Sequence, residues 1–132
     1  MTPLVAQSTA DARLQVAHPV IDHWLVAVND HDLEQVCSLY LPDAILLPTL
    51  SQTIRDTPGS IRDYFVQFLA KPGLRASLEH CYVQEYSEIK IDSGVYLFTW
   101  QENGHTKAAK ARFTFVIKDN KIAEHHSSLV PF

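Results

Sequence analysis

The chain predicts an α+β fold in which helices pack on one face of a curved antiparallel sheet. Three observations carry that expectation. Apolar residues recur every three or four positions before Gly73 and every two positions after it. The turn signals DSG (92–94), ENGH (102–105) and KDNK (118–121) divide the second half into strands joined by hairpins. Helical segments precede the strands instead of alternating with them, which is the α+β order.

Residues 1 to 8 read as a flexible tail and 9 to 132 as one domain. A helical pattern starts at Ser8, with Ser8 and Asp11 at capping-box spacing, and Pro19 breaks or restarts it. Val20, Ile21, Trp24, Leu25 and Val28 then form one apolar face, and NDHD (29–32) is turn chemistry. Leu33, Val36, Cys37 and Tyr40 suggest a second short helix that stops near Pro42, followed by a strand over 44 to 47. Thr57 is placed to cap a third helix, Pro58 suits its first turn, and Pro72-Gly73 ends it. Its buried stripe is Ile61, Tyr64, Phe65, Phe68 and Leu69. Strands are expected over 75 to 91, 95 to 101, 107 to 117 and 122 to 130.

Composition narrows the function classes. A domain of 132 residues can bury roughly two-thirds of its unfolded surface. The net charge is −4 and no Lys/Arg run occurs, so a nucleic-acid surface is not expected. No apolar run approaches the roughly 20 residues needed to span a bilayer, so no membrane partner is expected either. The first residues, MTPLVAQSTADARLQ, lack the basic start and apolar core of a signal peptide. With Cys37 and Cys81 far apart and outside any CxxC context, the expectation is two free thiols in the cytoplasm.

Five stretches taken in order carry a resemblance: WLVAVNDHDLEQVCSLYLPDAILLPT, IRDYFVQFL, GVYLFTW, ARFTFV and EHHSSLVP. Together, from about His18 to Pro131, they resemble the NTF2-like superfamily. Within it they are similar to the association domain of calcium/calmodulin-dependent kinase II and its stand-alone bacterial relatives. The resemblance implies a cone, in which a strongly bent sheet wraps a long helix around a cavity. It also implies self-association through the sheet, as a homodimer or a larger ring. No kinase Gly-rich loop or catalytic loop is present.

The kinase members carry three cavity arginines. Their positions fall here on Arg112, Ser127 and a site near Phe98, so one of the three is kept. Strand alternation from those positions places Arg112 and Thr114, Tyr96, Phe98 and Trp100, and His125 and Ser127 in the cavity. Trp24 and Tyr64 would close it from the helices. His126 and Ser128 would face outward, toward the dimer contact. One guanidinium among aromatics suits a small organic ligand with a single anionic or carbonyl group. Alternatively Arg112 forms an ion pair with Glu124, Glu85 or Glu88.

His125 and Asp43 are the candidate acid–base groups if the pocket is catalytic. The function expected first is self-association with small-ligand binding, and second an isomerase, dehydratase or cyclase working by proton transfer. No cofactor is expected. A metal site on His125 and His126 is not expected, because neighbours on a strand point to opposite faces.

Overall fold

The computed structural model describes residues 17–49 and 51–131. The tail expected over 1 to 8 and the helical pattern from Ser8 lie outside the described residues. Helix α1 spans Pro19–Asn29, α2 Leu33–Ser38 and α3 Pro58–Phe68. Strands β1 (Tyr40–Leu47), β2 (Arg75–Glu85), β3 (Lys90–Glu102), β4 (His105–Lys118) and β5 (Lys121–Leu129) form one sheet. Its order is β1-β5-β4-β3-β2. β2 to β5 are the expected antiparallel meander, while β1 runs parallel to β5 at the edge.

The helices begin where local chemistry tells them to. His18 Nδ1 accepts the Val20 N–H at 3.1 Å, with Pro19 in the first turn of α1. Asp32 accepts from Gln35 N at 3.1 Å at the start of α2. Thr57 and Ser60 cap α3 reciprocally, side chain to backbone in both directions. Each such cap is worth about 1 kcal/mol.

Two expectations change. The second helix ends at Ser38, and Tyr40 opens β1 instead of closing α2. A register shift between Tyr40 and Ile45 accommodates Pro42, which an edge strand tolerates because one side needs no ladder donor. The DSG segment is not a turn. Asp92 and Gly94 lie inside β3, and the chain reverses at 86–89, where Tyr86 N–H donates to Ile89 O at 2.9 Å.

Gly94 is required for a different reason. A Cβ there would lie 1.9 Å from the backbone oxygen of His80, where β2 shifts register between Leu78 and His80. The other two signals are turns. Asn103 and Gly104 (φ 53° and 79°) and Asp119 and Asn120 (φ 54° and 58°) take the left-handed pairs that two-residue hairpins need.

The inner face of the sheet presents Tyr96, Phe98, Phe113, Phe115 and Ile122, and the helices cover it with Ile21, Trp24, Ile61 and Phe65. The three described helices sit on this one side, so among the described residues no helix covers the opposite face of the sheet.

Gly94→Ala should destabilise the fold by more than about 2 kcal/mol, because β2 backbone must move to admit the methyl. Urea unfolding checks this. A change within about 0.5 kcal/mol, as for ordinary surface sites, would contradict the close approach.

Candidate functional site

The sheet bends around Trp24. Its indole stacks on Tyr96 (centroids 5.6 Å, planes 11° apart) and meets Phe65, Phe98, Phe115 and His125 edge-on. Within this aromatic packing runs a chain of hydrogen bonds. Trp24 Nε1 donates to the Tyr40 hydroxyl at 3.1 Å. That hydroxyl lies 2.8 Å from His125 Nδ1, and His125 Nε2 lies 3.1 Å from the Tyr96 hydroxyl. The Ser127 and Thr49 hydroxyls, bonded to each other, line the same interior space beside Tyr96.

Donor inventory fixes the direction of this chain. An indole N–H can only donate, so the Tyr40 oxygen accepts, and the buried Tyr40 proton is satisfied only if it goes to His125 Nδ1. His125 is then the Nε2–H tautomer and donates to the Tyr96 oxygen. Trp24, Tyr40 and both His125 nitrogens are thereby satisfied, which a buried polar chain requires.

Burial, and to a lesser degree the neighbouring His126, brings the His125 imidazole down to about 3, so it is neutral. Burial raises the Tyr40 phenol well above its ordinary value against the Trp24 hydrogen bond, and raises Tyr96 likewise. Tyr64 is raised by burial too, with Arg55 pulling the other way.

The expected cavity residues divide into three groups. Trp24, Tyr96, Phe98, His125 and Ser127 converge on the interior, while His126 and Ser128 are exposed on the other face. Tyr64 and Trp100 are half-buried at the rim. Arg112 and Thr114 are corrections: Ala111, Phe113, Phe115 and Ile117 take the inward positions of β4, and Arg112 is exposed on the outer face. The apolar effect decides it, since two phenylalanines and an isoleucine gain more from burial than Arg, Thr and Val could.

Asp43 is exposed on the irregular part of β1 and takes no part in the interior chain. Among the described residues no three His, Cys, Asp or Glu side chains cluster as a metal site.

The interior is full. The space among Trp24, Tyr64, Phe68, Tyr96, Phe98 and His125 is about 10 Å³, no more than a single water could use. Larger recesses lie outside it. One of about 160 Å³ adjoins the interior beside Tyr64 and Phe68. A shallow one of about 420 Å³ lies on the outer sheet face around Gly94 and Arg112. Sequence reasoning missed Tyr40, Thr49, Arg55 and Lys71. Tyr40 was hidden because its spacing from Val36 fits a helix face as well as a strand start.

A curved sheet packed around its own helices, with the strand order described, is the NTF2-like fold. Solved structures agree. An NTF2-like superfamily protein from Salmonella enterica serovar Typhimurium is 16% identical, with TM-score 0.72 over 100% of this chain and 95% of that one. A ketosteroid isomerase-like protein from Erwinia carotovora atroseptica is 14% identical, with TM-score 0.70 over 86% and 93%.

A nearer likeness is a Xanthomonas campestris protein assigned as a calcium/calmodulin dependent protein kinase II association domain. It is 36% identical, with TM-score 0.77 over 85% of this chain and 84% of that one. The calcium/calmodulin dependent protein kinase II association domain model matches residues 14–131, and the chain belongs to that family. No curated protein matches the chain.

The buried imidazole makes stability fall with acid. Folded His125 titrates near 3 against an ordinary 6.5, so between those values the unfolded chain binds a proton that the native one refuses. This group contributes its full stability above 6.5 and loses about 1.4 kcal/mol per unit as pH drops below it. Urea unfolding at stepped pH should therefore show a steeper acid-side slope for the native protein than for His125→Gln. Equal slopes would mean that the ring is reached by water.

Proposed function

We propose that this chain is a self-associating domain whose contact surface is the outer face of the sheet. The observation that supports it is the composition of three cross-strand rows. The middle row, Tyr82, Ser93, Thr114 and His126, carries no carboxylate, lysine or arginine. On one side lie His80, Val95, Arg112 and Ser128, and on the other Gln84, Ile91, Val116 and Glu124.

Turning a second copy by 180° about the middle row lays the Arg112 row over the Glu124 row. The face is thus complementary to itself in charge, as an isologous dimer contact requires. Apolar side chains at Tyr82, Val95, Ile91 and Val116 would supply the buried area.

The interior supports this reading over acid–base catalysis. Both His125 nitrogens are occupied by tyrosines, the ring is fully enclosed, and the space that touches it is only about 10 Å³. A general base needs a proton within hydrogen-bond reach, and here the reach ends on protein. A small ligand held wholly inside the cone would require this packing to open. The likeness to the Xanthomonas association domain supports assembly as well.

Sedimentation velocity tests the proposal. The native protein should sediment as a dimer or larger species, and Thr114→Arg, which sets like charges across the middle row, should shift it to monomer with unchanged circular dichroism. A native monomer at micromolar concentration, or an assembly indifferent to Thr114→Arg, would overturn it.

A further inference from the structure

The 160 Å³ recess beside the interior has a lining unlike the rest of the surface. Thr49, Ser51, Tyr64 and Gln67 offer hydroxyl, phenol and amide groups, Phe68 an apolar floor, and Arg55 and Lys71 two positive charges. Neither cation forms a salt bridge among the described residues; the pairs that do form are Arg62–Glu34 and Lys110–Glu79.

Arg55 is held firmly yet under-used. Its backbone bonds Leu46 in both directions, at 2.8 and 2.9 Å, and its guanidinium sits 6.0 Å from the Tyr64 ring centroid. Among the described residues its one side-chain hydrogen bond, Nη1 to Ser60 O, is long at 3.4 Å, and its buried Nε has no partner. An unpaired buried N–H on a cation is costly unless something accepts from it. Lys71 lies across the recess wall, its ammonium 5.0 Å over the Trp100 ring.

The geometry points to a binding site for a small organic carboxylate in this recess, its charge held by Arg55 and Lys71 and its carbon body laid against Phe68 and Tyr64. A planar guanidinium matches a carboxylate through two parallel N–H donors, and the ammonium adds charge without directional demand. The volume suits a body of one ring or a short chain, since about 150 Å³ accommodates benzene. The site does not depend on self-association: its residues come from the β1–α3 connection and from α3 and the residues just after it, while the proposed contact face lies on the other side of the sheet.

Amide chemical-shift titration of the full chain with benzoate, and separately with inorganic phosphate, tests this. Benzoate should saturate and shift Ser51, Tyr64, Gln67 and Lys71. Arg55→Gln and Lys71→Gln should each weaken it about tenfold or more, whereas Lys118→Gln, an equal charge change elsewhere, should not.

Because Arg55 also anchors β1, Lys71→Gln is the variant that stands if Arg55→Gln folds poorly. The site is overturned by unsaturable shifts, or by a benzoate curve that Lys71→Gln leaves unchanged. Tighter binding of phosphate than of benzoate overturns the carboxylate assignment. Sedimentation of the same samples reports self-association separately.

Discussion

The indole N–H of Trp24 can only donate, and it is buried in the middle of the protein. Much of the interior's order follows from giving it an acceptor. Tyr40 must present its oxygen, which fixes the start of β1 beside β5. His125 must then accept from Tyr40, which fixes its tautomer and the inward parity of β5. Tyr96 closes the chain from β3. Four elements are thereby set in register by one polar thread through an aromatic core, a degree of specification that apolar packing alone gives less sharply.

That arrangement leaves little room inside the NTF2-like scaffold. Trp24, Tyr96, Phe98 and Phe115 fill the space between sheet and helices at close-packed distances. Both proposals therefore concern surfaces: the outer sheet face, and a cationic recess at the edge of the packed interior. The same inward residues that a cavity would need have become the core.

The sequence carried most of the architecture. The two-proline frame of α3, the Asn-Gly and Asp-Asn turns, and the change of period at Gly73 each rest on local chemistry and held. Asp92-Ser-Gly94 misled because a glycine that relieves a backbone approach looks the same as one that makes a turn; only the partner strand distinguishes them. The inward positions on β3 and β5 were legible.

On β4 the orientation was taken from the place of an arginine, and the alternation Ala111, Phe113, Phe115, Ile117 on the neighbouring register outweighed it. Arg55 and Lys71 were not legible at all. They lie apart in sequence, in a loop and just past a helix, and no period links them.

The filled interior is tested most directly by hydrogen exchange of the Trp24 indole Nε1–H, followed by NMR across increasing denaturant. The account predicts exchange in the slowest class, with an opening free energy that tracks global unfolding. Rapid exchange independent of denaturant would show water entering the cone in the native state, and the chain from Trp24 to Tyr96 would then line a cavity instead of forming a core.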